Sequence, residues 1–261
     1  MRALVVGSTG LVGRHLVRQL LAEPGVDLVR SFQRRSTGVQ VGGRRAEEEL
    51  VDFEALDEWS ERLQGDVLFS ALGTTRRAAG SQEAQYRIDH DYQVGVAQAA
   101  ARNGVPVLVL VSSIGADPGA RSFYMRMKGE IEEAVAKLPF ERVHLLRPGI
   151  LDGPRGEVRL GERMGLAVAR VLARLGAPAG MRPFHADVVA GFMVECALAP
   201  SAGEVASDGA NGRGEDSRGI SGDHPTARRD PEEPFAQPRL AGPRVFRHEP
   251  DEILALRGAA R

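Results

Sequence analysis

A glycine-rich stretch near the start of the chain, LVVGSTGLVGRHLVRQLL at residues 4–21, limits the possible folds more than any other feature. Gly7, Gly10 and Gly13 fall between an apolar run typical of a short buried strand and leucines that recur at helical spacing. Glycine at such a turn permits a sharp bend and a close approach by a ligand or another backbone. The N–H groups and dipole at the start of the helix suit a pyrophosphate. The stretch therefore predicts a dinucleotide-binding turn, with a glycine turn that binds nothing as the alternative.

Strands and helices alternate along the following residues, which predicts an α/β fold with a doubly wound parallel sheet (Rossmann) in a single domain. In such sheets, ligands bind at the carboxyl ends of the strands. After the first unit, the expected strands are 26–32, 49–52, 66–72, 106–112 and 142–147. The expected helices are 55–63, 81–103, 122–138, 156–175 and 185–199.

The alternation stops near residue 202. Residues 1–201 are expected to form the NADP(H)-binding Rossmann domain. Residues 202–243 are rich in Gly, Asp, Arg, Pro and Ser and contain few large apolar residues, so we expect an irregular, disordered loop. Residues 244–261, which include RVFRHEPDEILAL, are expected to add a closing strand and helix to the same domain.

Composition excludes several classes of partner and site. The net charge of −1 gives no general attraction to nucleic acid or to acidic membranes. The longest apolar run, VPVLVLV at 105–111, is too short to cross a membrane, and the first residues do not resemble a secretory signal. Cys196, the single cysteine, excludes an intramolecular disulfide and lies in an apolar helical pattern, so we interpret it as a core residue. A cytoplasmic location is the resulting expectation.

The end of the second strand predicts the cofactor. Sites that favour NAD place an acidic residue about 20 positions after the glycines, where it binds the ribose hydroxyls. Here the sequence reads FQRRS and contains no carboxylate. Arg34 and Arg35 suit the 2′-phosphate of NADP(H) through charge-assisted hydrogen bonds. The alternative is that both arginines are merely solvated.

A tyrosine and a lysine share a helix face in the stretch FYMRMKGE. Tyr124 and Lys128 are four residues apart, although the chain has only three tyrosines and two lysines, so the spacing rarely arises by chance. A nearby ammonium favours tyrosinate, and the pair can then act as a general acid or base. The alternative is an ordinary helix-surface pair.

Together, GSTGLVG, SSIGA and the Tyr124–Lys128 pair resemble the short-chain dehydrogenase/reductase superfamily. The chain is most similar to the atypical branch of that superfamily related to a human Tat-interacting oxidoreductase-like protein. Further matching patterns run in the family's order over residues 1–200: GRHLVRQLL, VDFEAL, LGTTRRAAG, IDHDY, YMRMKGEIEEAV and LRPGIL.

The resemblance implies a role for each matching residue. Ser113 would polarise a carbonyl, Tyr124 would donate the proton, and Lys128 would bind the nicotinamide ribose and tune Tyr124. Pyrophosphate contacts would come from Gly7, Thr9, Gly10, Leu11, Val12 and Gly13. The remaining cofactor contacts would be Asp52 and Phe53 at the adenine, Leu72, Gly73 and Thr74 along the fourth strand, and Pro148 and Gly149 at the nicotinamide. Alternatives remain: Ser112 in place of Ser113, a strand-end cap at Asp52, and a simple turn at Pro148–Gly149.

The function that the resemblance implies is hydride transfer between NADP(H) and a small-molecule carbonyl or alcohol substrate. One alternative is a non-catalytic NADP(H)-binding or redox-sensing protein that acts on a protein partner, and another is a nucleotide-sugar epimerase or dehydratase. A homodimer is also compatible with the family. The chain departs from the family at Asp89, where many members have asparagine, and at 202–243. The part after Leu151 is also short for an epimerase lid.

Overall fold

Seven parallel strands form the central sheet of the computed structural model, which describes residues 1–36, 45–152, 184–199 and 242–259. The strand order is β3-β2-β1-β4-β5-β6-β9, and β7 and β8 form a separate parallel pair. The strands are β1 (Arg2–Val6), β2 (Leu28–Gln33), β3 (Ala46–Leu50), β4 (Val67–Ser70), β5 (Val107–Val111), β6 (Arg142–Leu146), β7 (Leu151–Asp152), β8 (Phe184–His185) and β9 (Arg244–His248).

Helices cover both faces of the sheet. They are α1 (Leu11–Ala22), α2 (Arg76–Ala79), α3 (Gln82–Tyr86), α4 (Tyr92–Arg102), α5 (Phe123–Val135), α6 (Ala186–Leu198) and α7 (Pro250–Ala259), with a π-helical segment at Arg87–Asp91 and 3-10 helices at Phe53–Glu58 and Ser60–Arg62.

Alternate residues of β1 enter different cores, since Leu4 packs in the layer that contains α4 and α5, whereas Val5 packs in the layer that contains α1 and α6. Because both faces of the sheet are buried at its centre, the central strands β1, β4 and β5 are almost continuously apolar, whereas the edge strands β3 and β9 contain exposed charged residues.

The order of the strands reverses direction at β1. The chain continues from β1 to β2 on one side and later returns to β4 on the other, and Val6 pairs with both Phe32 and Ser70. A parallel sheet opens a crevice outside the carboxyl ends of its strands at such a switch point. The predicted doubly wound Rossmann fold is therefore confirmed, and the crevice lies directly beyond the glycine-rich turn.

Two predicted helices differ from the structure. Residues 55–63 form short 3-10 helices rather than one α-helix, because Ala55 has non-helical angles and buried Trp59 donates its indole N–H to the Asp52 carbonyl at 2.8 Å. The single long helix expected over 81–103 contains the π-helical segment Arg87–Asp91. The helix predicted at 156–175 lies outside the described residues, as does almost all of the predicted loop 202–243.

The expected strand and helix after residue 243 are present as β9 and α7. β9 pairs in parallel with β6, and Met1–Leu198 and Gly242–Arg261 form one compact unit. Among the described helices, none combines the length and the apolar character that crossing a membrane requires.

Candidate active site

A cavity of about 920 Å³ opens at the switch point of the sheet. Its walls come from the carboxyl ends of β1, β2 and β4, from α1 between Arg14 and Leu21 and from the start of β3. The predicted cofactor residues in its walls are Gly7, Thr9, Gly10, Arg34, Arg35, Phe53, Leu72, Gly73 and Thr74. Residues from four separate segments of the predicted site thus meet at one cavity.

Two of the three glycines are required by close packing. Gly7 has a φ of 83°, and a Cβ there would lie 2.4 Å from the carbonyl carbon of Ala71. A Cβ on Gly13 would lie 2.0 Å from the carbonyl oxygen of Gly7. Gly13 therefore lets α1 approach the end of β1, and it does not line the cavity.

The start of α1 is suited to an anion. Gly10 precedes the helix and provides no side-chain cap, and the first turn contains no acidic residue. The N–H groups of that turn therefore keep their partial positive charge. Of the other residues predicted here, Leu11 and Val12 begin the helix, and Val12 packs into the core.

The end of β2 contributes a polar group that the sequence prediction did not include. Gln33 lines the cavity and is 4% exposed. Its Oε1 accepts a hydrogen bond from Ser8 Oγ at 2.6 Å, and its Nε2 has no partner among the described residues. This amide lies immediately before Arg34 and Arg35, so three hydrogen-bond donors are consecutive along this wall. Its position beside the arginines was the only sequence signal available.

Asp52 caps the 3-10 helix that follows it. Its Oδ1 accepts a hydrogen bond from Glu54 N at 2.9 Å and caps the 3-10 helix, and it is not part of the cavity wall. Phe53 does line the cavity and packs edge to face on Trp59. The segment therefore offers an aromatic surface rather than a carboxylate.

The two serines after β5 have different surroundings. Ser112 donates to Glu132 Oε1 at 2.5 Å, and Glu132 also binds Arg147, so the Ser112 hydroxyl is engaged in a buried ion-pair network. Ser113 makes only a long contact of 3.3 Å with the Ile114 carbonyl. Among these two, Ser113 retains the hydroxyl that a substrate can use.

Lys128 connects α5 to the end of β5. It is 3% exposed, and its Nζ donates to the Val111 carbonyl at 3.2 Å. Tyr124 lies one turn earlier on the same helix and is 38% exposed, so a substrate can reach its hydroxyl. Ser113 is two residues beyond Val111, so Ser113 and the Nζ of Lys128 lie at the carboxyl end of β5, and Tyr124 is on the same helix as Lys128.

The other two tyrosines are bound to carboxylates. Tyr86 donates to Glu130 Oε2 at 3.1 Å, and Tyr92 donates to Glu54. Burial, followed by these acidic partners, raises the pKa of each phenol to about 12. Within the part of the chain that the structure describes, Tyr124 has no hydrogen-bond partner of this kind, so it differs chemically from both.

Asp89 lies between the cavity and the predicted catalytic residue Lys128. It lies in the π-helical segment, where its Oδ1 accepts from Thr74 N at 2.6 Å, while its Oδ2 is buried and lacks a partner among the described residues. Burial raises the pKa of Asp89, and the positive charge of Lys128 partly opposes that rise. A π-helical segment is frequent at functional sites. Asp89 thus interacts with both parts of the site, through a hydrogen bond to Thr74 in the cavity wall and through its charge with Lys128.

Pro148 and Gly149 follow β6, next to the serine loop. The Pro148 carbonyl accepts a hydrogen bond from Ile114 N at 3.1 Å, which holds this turn beside Ser113. Neither residue lines the cavity described above. The site therefore has a cavity at β1, β2 and β4 and a separate group of polar residues at β5, β6 and α5.

A family model described as NAD(P)H-binding matches residues 7–175. The chain belongs to this NAD(P)H-binding family. The matched region begins at the first glycine of the turn and includes all the predicted catalytic residues. It confirms the resemblance to the atypical short-chain dehydrogenase/reductases and an NAD(P)-binding role, and does not distinguish NADP from NAD.

Curated fungal relatives share much of the sequence. The chain is 41% identical over 174 residues to "Protein fmp52, mitochondrial" of Emericella nidulans, which covers 65% of this chain and 73% of the relative. It is 37% identical over 210 residues to the protein of the same name from Aspergillus niger, covering 77% and 88% of the two chains. These names contradict the cytoplasmic expectation. A single cysteine is compatible with any reducing compartment, so the cysteine count could not distinguish the cytoplasm from another such compartment.

Solved structures with the same fold include nucleotide-sugar enzymes. WbmH of Bordetella bronchiseptica, solved with NAD+, has a TM-score of 0.57 and 15% identity, over 76% of this chain and 71% of that one. UDP-glucose 4-epimerase of Thermotoga maritima has a TM-score of 0.55 and 17% identity, over 75% and 73%. At these identities the likeness shows the fold alone.

Proposed function

We propose that the protein is an NADP(H)-dependent reductase that acts on a small carbonyl or alcohol substrate. The observation that carries this proposal is the position of Lys128, a buried cation bound to the end of β5 one helical turn from an exposed Tyr124. Burying a lysine is unfavourable unless its charge is used or compensated. A general acid–base pair provides such a use.

The described residues fit a dinucleotide phosphate. The uncapped start of α1 and the glycine turn suit the pyrophosphate, and the cavity extends from there to Arg34 and Arg35. The unpartnered Nε2 of Gln33 adds a buried donor beside the two arginines. A 2′-phosphate could satisfy all three donors, whereas the ribose hydroxyl of NADH offers far fewer acceptors.

In the proposed reaction, Ser113, Tyr124 and Lys128 each have a separate role. The bound dinucleotide supplies the hydride. Ser113 Oγ donates a hydrogen bond to the substrate carbonyl oxygen, and the Tyr124 hydroxyl delivers a proton to the same oxygen. Lys128 stabilises the tyrosinate that remains and holds α5 against β5 through the Val111 carbonyl.

Cofactor selectivity can be tested without any substrate. We expect the double variant Arg34→Ala, Arg35→Ala to weaken NADPH binding by about 1.5 to 3 kcal/mol and to change NADH binding little, because only NADPH has the 2′-phosphate. Gln33→Leu should weaken NADPH in the same direction. Arg102→Ala, an exposed arginine at the end of α4, is the matched control. Equal weakening of both cofactors by the double variant would contradict the NADP(H) assignment.

Turnover separates the reductase from its rivals. NADPH consumption should be measured with the full chain over a panel of small aldehydes and ketones, with product identified at one equivalent per NADPH. Stoichiometric reduction of any member supports the proposal. Tight NADPH binding without consumption favours the sensing protein, and conversion of a nucleotide sugar without net consumption favours the epimerase. Either result would overturn the reductase assignment.

A further inference from the structure

Two histidines and the only cysteine of the chain meet on the face of the sheet covered by α6. His144 lies on β6, His248 ends β9, and Cys196 lies on α6. One donor atom of each lies within 4.8 Å of the donor atoms of the other two. His144 Nδ1 is 3.0 Å from His248 Nε2, which is 3.7 Å from Cys196 Sγ. None of the three lines the cavity of the candidate active site.

This group is buried and poorly satisfied by the protein. His144 is 5% exposed and Cys196 is 6% exposed. The Nδ1 of His144 faces the imidazole of His248, whereas its second ring nitrogen, Nε2, is buried and has no partner among the described residues. Polar groups buried in this way are unfavourable unless a ligand or a hydrogen bond compensates them.

A carboxylate supports the outer histidine. His248 Nδ1 lies 2.9 Å from Glu252 Oε2, one turn into α7. A carboxylate that accepts from one ring nitrogen fixes the tautomer in which the other nitrogen carries a lone pair. Nε2 of His248 is thereby directed as an acceptor toward His144 and Cys196. Metal-binding histidines usually have this kind of support.

We propose that His144, Cys196 and His248 bind a divalent transition-metal ion of the zinc class. Two imidazoles and a thiolate are ligands that Zn²⁺ prefers, and a water could complete a tetrahedral set while Glu252 supports His248 from its Nδ1 side. The charges near the thiol favour a bound cation. The carboxylates of Glu195 and Glu252 are close enough to Cys196 to interact with it electrostatically, and the positive charge of Arg142 opposes them.

Binding would connect three segments that are distant in sequence. The ion would join β6, α6 and β9, and β9 follows the long segment 200–241. A ligand that binds only the folded chain raises its stability by mass action. The site would therefore fasten the last strand to the sheet, whatever the reaction at the cavity.

The thiol provides a second signature. The pKa of an ordinary cysteine thiol lies above neutral pH, so a metal-free thiol carries its proton there. The metal ligand is the thiolate. Binding must therefore release at least one proton to the buffer, as the S–H bond is replaced by a sulfur–metal bond.

The experiment is a Co²⁺ titration of the untagged, chelator-treated full chain. We expect one Co²⁺ per chain, a thiolate-to-cobalt charge-transfer band in the near ultraviolet and visible bands of tetrahedral cobalt. Because the chain has one cysteine, the charge-transfer band reports on Cys196 alone. Calorimetry of Zn²⁺ binding in buffers of different ionisation enthalpy should show the released proton, and Zn²⁺ should raise the unfolding temperature.

Variants separate a built site from adventitious binding. Cys196→Ser should abolish the charge-transfer band, His248→Gln should lower affinity at least 10-fold, and Glu252→Gln should lower it about 10-fold or more. His185→Gln, an exposed histidine at the end of β8, should behave like the parent. If the parent shows no charge-transfer band, or if Zn²⁺ affinity is equal in the parent and Cys196→Ser, the proposal is wrong. The parent measurements decide the question even if one variant fails to fold.

Discussion

The two ends of the site are built differently. At the glycine-rich end, formed by β1, β2 and β4, close contacts between backbone segments determine the shape of the cavity. At the other end, formed by β5, β6 and α5, the site consists of buried polar side chains. Gly7 and Gly13 touch neighbouring main chain with no room for a Cβ. By contrast, Lys128, Glu132 and Asp89 are each at most 3% exposed. The first end depends on steric fit, and the second depends on paired charges.

This difference predicts how each end responds to substitution. An extra carbon should destabilise the glycine-rich end with little dependence on salt or pH. Removal of one charge should destabilise the other end, because it leaves a partner buried without compensation.

Glu132→Ala should have the largest effect. Glu132 accepts from Arg147 Nη2 at 2.6 Å and from Ser112. Its removal leaves the buried Ser112 hydroxyl without this acceptor, and it leaves Arg147 with only the exposed Glu249 and the Ala116 carbonyl as partners among the described residues. The Arg147–Glu132 contact also raises the pKa of Arg147, so that cation does not neutralise. We expect a loss of about 3 kcal/mol in the free energy of unfolding. Chemical denaturation measures it.

Its matched control is Glu133→Gln, the next residue of α5. Glu133 is exposed and pairs only with Lys137, one turn later. Exposed pairs of this kind contribute little. If both variants lose the same stability, the buried network does not stabilise this end as described.

Gly13→Ala should have the next effect. Alanine normally favours a helix, but here its Cβ would meet the Gly7 carbonyl oxygen at 2.0 Å, so α1 must move away from β1. We expect a loss of about 2 kcal/mol in the free energy of unfolding, together with weaker dinucleotide binding because the turn shifts. Gly25→Ala is the control, since nothing lies within 4 Å of its Cβ position. If Gly13→Ala has the same free energy of unfolding as the parent, α1 can move away from the Gly7 carbonyl at no cost and the contact is not required.

The tyrosines provide the smallest and most specific test. Alkaline titration followed by phenolate absorbance should show two of the three phenols ionising near pH 12, because burial and acidic partners raise the pKa of Tyr86 and Tyr92. Tyr86→Phe should remove one of these two transitions. If Tyr86 and Tyr92 instead ionise near pH 10, neither tyrosine is bound to its glutamate in solution.

Local sequence patterns predicted parts of both ends of the site, whereas contacts between distant segments were missed. The glycine turn, the strands and the Tyr124–Lys128 spacing are local patterns, so residues a few positions apart were sufficient to predict them. Gln33 was missed because its significance depends on Ser8, 25 residues away. The helix expected at 55–63 was wrong, since burial of Trp59 overrides local helix preference there. The His144–Cys196–His248 group joins three distant segments, and no spacing rule could reveal it.

The measurement that tests the central claim most directly is turnover by Tyr124→Phe, with a carbonyl substrate that the parent reduces. The change keeps the ring and removes the proton, so we expect NADPH affinity to change little and turnover to fall at least about 10²-fold. Lys128→Met should lower turnover and cofactor binding together, and Tyr86→Phe should retain the parent rate. If Tyr124→Phe reduces the substrate at the parent rate, the catalytic assignment is wrong and the protein binds NADP(H) without using this pair.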